Sequence, residues 1–159
     1  MKDTNIPITL RGKQKLEEEL KRLLHEERPA IIKAIEAARE NGDLSENADY
    51  DAAKERQGWT EARILEIQSR IAGAEVIDTA KLKSNTVIFG ATVELKDVEE
   101  DRDVKYQIVG PEEADIQQGR LSLMAPLARS LIGKKAGDVC EVKAPNSIKE
   151  YEIKKIYFL

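Results

Sequence analysis

The sequence predicts an α+β protein in two parts: an N-terminal antiparallel α-helical coiled-coil hairpin over residues 1–79 and a small C-terminal antiparallel sheet domain with one short helix over residues 80–159. Three observations carry this reading. Apolar residues recur at helical spacing through Leu16, Leu20, Leu23, Ile31 or Ile32, Ile35 and Ala38, and again through Ala48, Ala52, Trp59, Ala62, Ile67, Ile71 and Ala74. Between the runs stands Glu40-Asn41-Gly42-Asp43-Leu44-Ser45-Glu46-Asn47-Ala48-Asp49-Tyr50, which has the composition of a turn between two helices. Past Lys81 the helical period gives way to the alternation of strands.

In chain order, Pro7-Ile8-Thr9 leads into the first helix, with Thr9 or a neighbour as its cap and Arg11 to Lys15 opening the amphipathic run. Pro29 removes one backbone donor inside that run, which predicts a bend or local break near Arg28-Pro29 before the stripe resumes. Gly42 is placed just beyond the helix end, where a positive φ is easy, and Asp43 then caps the second helix. That helix runs to about Ala74 and leaves through Glu75 to Thr79 into a linker. Arms of roughly 30 residues at ~1.5 Å rise span on the order of 45 Å, with one apolar stripe each. Further on, Thr86 to Leu95 reads as a strand bent or bulged at Gly90, Asp97 to Asp103 as a solvated loop, and Val104, Tyr106 and Ile108 as a second strand. Leu121 and Leu123 mark another strand. Pro126 fits the first turn of a short helix that Gly133 ends, and Val139 to Val142 and Tyr151 to Phe158 close the sheet.

A chain of 159 residues that is 41% hydrophobic and 35% charged has the composition of a folded, charge-rich protein. No apolar run approaches the ~20 residues of a membrane helix, and the polar start Met1 to Asn5 lacks an apolar signal core, so the expected address is the cytoplasm, with no membrane partner. The single cysteine, Cys140, excludes an intrachain disulfide or a four-cysteine zinc site and reads as a plain strand residue. His25, the one histidine, has no companion with which to build a metal triad or a Ser/His/Asp relay. The net charge of −4 resides in residues 1–80, which hold 13 basic and 17 acidic side chains against 13 of each in residues 81–159. That balance opposes a free-standing nucleic-acid binder, which needs a basic surface.

Two readings of the turn stay open. Asp43-Leu44-Ser45-Glu46 fits a capping box, an acceptor at the N-cap with a Glu three residues on, and this alone accounts for both acids. Alternatively, Asp43 and Glu46 are two hard oxygen donors at the tip of a slender hairpin. They make only part of the six-oxygen shell Mg²⁺ prefers, so such a tip becomes effective in a pocket that already contains phosphate and further carboxylates, for phosphodiester hydrolysis. Arg39, Lys54 and Arg56 could steady an RNA phosphate there or form a solvated face with Glu40 and Glu55. Tyr50 could contact a base or a partner protein, or pack across the hairpin, whereas Trp59 is expected in the seam.

The chain resembles the bacterial transcript cleavage factors, the GreA/GreB family. The resemblance spans its whole length and is carried by Pro7-Ile8-Thr9-Leu10-Arg11-Gly12, by Asn41-Gly42-Asp43-Leu44-Ser45-Glu46-Asn47-Ala48-Asp49-Tyr50 and on to Lys54, by Val87-Ile88-Phe89-Gly90-Ala91-Thr92-Val93, and by Ala125-Pro126-Leu127-Ala128-Arg129-Ser130-Leu131-Ile132-Gly133-Lys134-Lys135. It implies an FKBP-like C-terminal domain that docks at the mouth of the RNA polymerase secondary channel, while the coiled coil enters the channel. It implies that Asp43 and Glu46 are the catalytic tip acids, helping to hold a Mg²⁺ ion shared with the polymerase and to orient the attacking water. The isolated chain binds no cofactor tightly on this reading. The implied reaction is cleavage of the 3′ end of the nascent RNA in a backtracked, arrested complex; the polymerase is the enzyme, and this chain, a monomer, is the elongation factor that stimulates it. The lack of a dense basic patch along the coiled coil favours the GreA branch over the more basic GreB branch. Relatives with altered tip acids inhibit polymerase, so a channel-binding inhibitor without cleavage activity is the alternative. An FKBP-like isomerase or chaperone module is disfavoured, because Phe89, Tyr106, Tyr151, Tyr157 and Phe158 lie on strand-like runs that need a core. Docking is expected around Ser122 to Arg129.

Overall fold

A computed structural model describes residues 6–40 and 47–159. The chain divides into two compact units, Lys13–Ala74 and a second made of Ile6–Gly12 with Glu75–Leu159. The early segment joins the second unit because strand β1 (Ile6–Thr9) pairs with β2 (Ala74–Ile77), within the stretch expected to be a linker. Four-residue strands are too short to announce themselves by alternation, which is why a boundary at 79/80 was the natural expectation.

The helices are α1 (Leu10–Arg22), a π-helical turn over Leu23–Glu27, α2 (Arg28–Glu40) and α3 (Ala48–Ala72). The π turn is the local consequence of Pro29. A proline offers no N–H to the carbonyl four residues back, that of His25, and its ring crowds that oxygen. Widening the ladder by one residue just upstream, with the Arg28 N–H bonded to the Leu23 carbonyl, lets the helix pass Pro29 without stopping. The expected break thus takes the form of a register change.

In the first unit Leu16, Leu23, Ile31, Ile35 and Ala38 are buried on one side of the seam, and Ala53, Thr60, Ile64 and Ile67 on the other. Two expectations are corrected there. Trp59 is 76% exposed, and its seam place belongs to Thr60 at 7%. The buried positions of α3 step by seven, four and three residues, and Trp59 sits one residue, about 100°, off that stripe. Ala52 and Ala62 are exposed for the same reason, and of the isoleucine pair Ile31 is buried and Ile32 exposed.

Charged pairs then fix how the arms align. Arg63 grips Glu19 through two bonds of 2.7 Å, Arg28 grips Glu61 at 2.9 and 2.7 Å, and Arg56 reaches Glu27 at 2.7 Å. The first two are bidentate, a geometry that rewards one relative position of the helices and no other. The Arg63 hydrogen bonds hold the Glu19 carboxyl below its ordinary value of 4.5, against the opposing effect of partial burial.

In the second unit a five-stranded sheet runs in the order β5-β4-β3-β7-β6, built from β3 (Thr92–Asp97), β4 (Arg102–Val109), β5 (Arg120–Ser122), β6 (Val139–Ala144) and β7 (Ser147–Tyr157). All neighbours are antiparallel except β4 and β5, which are parallel, a departure from the wholly antiparallel sheet expected. Helix α4 (Pro126–Leu131) opens with Pro126 in its first turn, and Gly133 takes φ 85° just past its end. Its Ala128 and Leu131 pack with Val87, Val93, Leu95, Ile108, Cys140 and Ile153 in the core, and Tyr106, Tyr151 and Phe158 lie against that cluster. Tyr106, Tyr151 and Phe158 are therefore core material, as expected, whereas Phe89 and Tyr157 lie outside that cluster and are half-buried. β3 begins at Thr92, not Thr86, because Gly90 at φ 87° turns the chain first. Asp97, expected to open a solvated loop, is buried at the end of β3, where its carboxylate accepts the Glu99 and Glu100 N–H groups at 3.1 and 3.3 Å.

The block Pro7 to Gly12 has a specific job within this unit. The Thr9 hydroxyl accepts the Gly12 N–H at 3.0 Å, capping α1, while the Thr9 N–H and hydroxyl both donate to the Glu113 carboxylate. A side chain on Gly12 would put its Cβ 2.2 Å from that carboxyl group, so a larger residue would push the Glu113 side chain away from Thr9. Among the described residues, no helix is long and apolar enough to cross a membrane.

Two outcomes follow from the hairpin. The emission of Trp59 in the native protein should resemble that of tryptophan in water and be quenched freely by acrylamide, and Trp59→Ala should shift unfolding free energy by less than about 0.5 kcal/mol; a blue-shifted, protected emission would contradict the seam described above. The Glu19–Arg63 pair should make stability acid-sensitive. Because the folded value is depressed, its contribution is complete above the unfolded value and is lost as pH falls from about 5 downwards. Urea melts across that range should show a shallower acid loss for Glu19→Gln, with a difference at neutral pH of about 1 kcal/mol or less.

Candidate functional site at the hairpin tip

α2 ends at Glu40 and α3 starts at Ala48, so residues 41–47 join the arms. Asp43 and Glu46, with Gly42, lie outside the described residues. The end of the link is nevertheless well determined by Asn47. Its Oδ1 accepts the Tyr50 N–H at 3.0 Å, and its Nδ2 donates to the Ala38 carbonyl at 3.1 Å. One amide therefore caps the start of α3 and satisfies a carbonyl in the last turn of α2. At 9% exposure, this polar side chain is buried with both ends engaged. The N-cap role assigned to Asp43 from the sequence belongs to Asn47. The sequence carries the signal: Asn followed by Ala-Asp-Tyr-Asp is a cap before an acidic first turn, in competition with the box that begins four residues earlier at Asp43.

The flanking candidates separate into two kinds. Arg56 is tied across the hairpin to Glu27, and Tyr50 is half-buried against Ile31, Ile35 and Ala53, with the Arg39 guanidinium 6.0 Å from its ring centre. These three stiffen the tip end of the hairpin. Lys54 is exposed and bonds Gln57 at 3.0 Å on its own helix, which leaves its charge at the surface. Asp49 and Asp51 are exposed in the first turn of α3, where they complement the helix dipole. Among the described residues, no group of three or more His, Cys, Asp or Glu is arranged to hold a metal ion.

The amide bridge makes a direct prediction. Asn47→Ala should cost about 1–2 kcal/mol, whereas Asn47→Asp, which keeps the acceptor for Tyr50 and loses the donor to Ala38, should fall between the two. Thermal melts followed by helical circular dichroism would measure both; equal stability of all three proteins would remove Asn47 from this role.

Comparison with known proteins assigns both units to one family. A family model described as "Transcription elongation factor, N-terminal" matches residues 6–76, and one described as "Transcription elongation factor, GreA/GreB, C-term" matches residues 82–158. The transcription elongation factor GreA of Ralstonia nicotianae is 54% identical over 157 residues, covering 98% of this chain and 99% of that one. That of Caulobacter sp. strain K31 is 56% identical over 151 residues, covering 95% and 96%. Among solved structures, Gfh1 of Thermus aquaticus matches at 24% identity and a TM-score of 0.44, covering 97% of this chain and 99% of that one. The GreA/GreB factor of Nitrosomonas europaea matches at 19% identity and a TM-score of 0.42, covering 96% and 98%. The sequence matches, continuous across both units, carry the assignment, and the relatives named GreA fall on the branch the charge pattern favoured. The chain belongs to the GreA/GreB family of transcription elongation factors.

Proposed function

We propose that this elongation factor, acting as a single chain in the cytoplasm, enters the secondary channel of RNA polymerase with the α2–α3 end of its hairpin and stimulates cleavage of the RNA 3′ segment in backtracked, arrested complexes. One observation supports this over a purely structural account of the tip. Asn47 performs the capping of α3, so Asp43 and Glu46 are not needed to start that helix. Two acids in the link of a family member that are not needed to start that helix support the ligand reading.

The donor set suits Mg²⁺ in kind, since both groups are hard oxygen donors, and falls short in number. The remaining ligands come from the polymerase on this reading. Asp43 and Glu46 would hold the shared ion and orient the attacking water. A Mg²⁺ ion bound there supplies activation of that water and neutralisation of the charge that builds on the scissile phosphate. The polymerase remains the enzyme, and the chain lends it oxygen ligands. Lys54, whose charge is not tied across the hairpin, and Arg39 stand closest to this task as steadying contacts for an RNA phosphate.

The test is a stalled elongation complex supplied with each variant. Asp43→Asn and Glu46→Gln should each lower the cleavage rate by about a hundredfold or more at fixed Mg²⁺, while competing for polymerase as well as the parent does. Helical circular dichroism should be unchanged. Full rescue of arrested complexes by both variants would overturn the ligand assignment, and a parent protein that bound polymerase but released no RNA fragment would point to an inhibitor instead.

A further inference from the structure

The second unit carries a feature for which the tip chemistry has no use. Thr92 on β3 lies opposite Gln107 on β4, and Gln107 lies opposite Arg120 on β5, so three polar side chains form one row across adjacent strands. The residues on either side of this row, Ala91 and Val93 on the first strand, Tyr106 and Ile108 on the second and Leu121 on the third, belong to or pack against the core, which places the polar row on the other face of the sheet. A cavity of about 150 Å³ opens over this row, lined also by Lys105, Arg11 and Gly119. Gly119 sits at φ 75° with the Lys105 carbonyl 3.0 Å from where a Cβ would stand, so the backbone closes tightly on one side.

The lining is cationic, and the carboxylate nearest in register is Glu94, opposite Lys105 on the neighbouring strand. Among the described residues, neither Arg11, Lys105 nor Arg120 makes an ion pair, and the one side-chain bond of Arg120 runs to the neutral Gln118 oxygen at 3.2 Å. Arg120 is only 9% exposed, so most of its side chain is enclosed by the walls of the cavity it helps to line. Leu159 borders the cavity as well, its carbonyl oxygen held by the Thr79 hydroxyl; even with a terminal carboxylate counted there, three cations leave the lining net positive. The second, independent sign is Thr92. Its hydroxyl is enclosed, the residue is 3% exposed, and no hydrogen-bond partner reaches it. Buried hydroxyls without partners are rare in folded proteins, and Thr92 is one of the residues that line this cavity.

We propose that this cavity binds a phosphate group, accepting hydrogen bonds from Arg120, Lys105 and Arg11 and from the Thr92 hydroxyl. The volume lies well below the roughly 300–1,000 Å³ of sites for organic ligands, which selects an ion or the phosphate end of a larger molecule. Arginine and lysine around a compact space favour an oxyanion with several acceptor oxygens over a halide. The site is independent of the tip acids.

Amide NMR of the full chain, titrated with sodium phosphate and separately with sodium chloride at matched ionic strength, tests it. Phosphate should give saturable shifts centred on Thr92, Gly119 and Arg120 that chloride does not reproduce. Arg120→Gln should weaken binding about tenfold or more, and Lys105→Gln, at an exposed position that leaves folding intact, by several-fold. Thr92→Val, which keeps shape and removes the hydroxyl, should also weaken it. Adenosine monophosphate distinguishes the sources: saturation of the same amides identifies a nucleotide-borne phosphate, and its failure where inorganic phosphate succeeds identifies the free ion. Shifts that never saturate, that chloride matches, or that survive Lys105→Gln and Thr92→Val unchanged would overturn the proposal.

Discussion

Two helices that share one narrow apolar stripe have little to stop them sliding along each other, and the first unit depends on what prevents it. Small and branched residues such as Ala53 and Ile31 give attraction with weak positional preference. The bidentate grips of Arg63 on Glu19 and Arg28 on Glu61 supply the preference, since a planar guanidinium and a planar carboxylate meet in parallel only at one offset. Their net energy is modest at a solvated surface. Their value lies in register, and register decides which residues stand at the link. Asn47 completes the arrangement from the closed end by binding both arms through a single amide.

The π turn belongs to the same logic. A proline within a long helix would ordinarily end it, leaving the arm short of the tip. By adding one residue to the turn ahead of Pro29, the chain stays helical while the buried stripe passes from Leu23 to Ile31, a step of eight residues and not seven. The extra residue absorbs the altered hydrogen bonding, and the seam continues into Ile35 and Ala38 on the same face.

The second unit is organised by contrast between the two faces of one sheet. One is closed by α4 and a continuous apolar cluster; the other carries the Thr92–Gln107–Arg120 row and its cationic surroundings. β1 and Gly12 are drawn into this unit through Thr9, whose backbone and hydroxyl are both taken by Glu113. The short Pro7–Gly12 block thus combines a cap, a long-range carboxylate contact and a close approach of Gly12 to that carboxyl group.

Periodicity was enough to determine the helical hairpin, the change to strands after Lys81, the short helix opened by Pro126, the burial of Cys140 and the core role of Tyr106, Tyr151 and Phe158, because each follows from local repetition or from backbone chemistry near one residue. Family motifs made the candidate acids legible as well, since their identities and spacing are themselves linear information. Tertiary structure alone decided that Thr60 and not Trp59 enters the seam, because a stripe's phase over several turns depends on the partner helix. It decided that the Asn47 amide, while capping α3, reaches across to the Ala38 carbonyl of the other arm. It also decided that β5 runs parallel to β4 and that Thr92, Gln107 and Arg120 share a face, since strand pairing joins residues whose distance along the chain carries no trace of their contact.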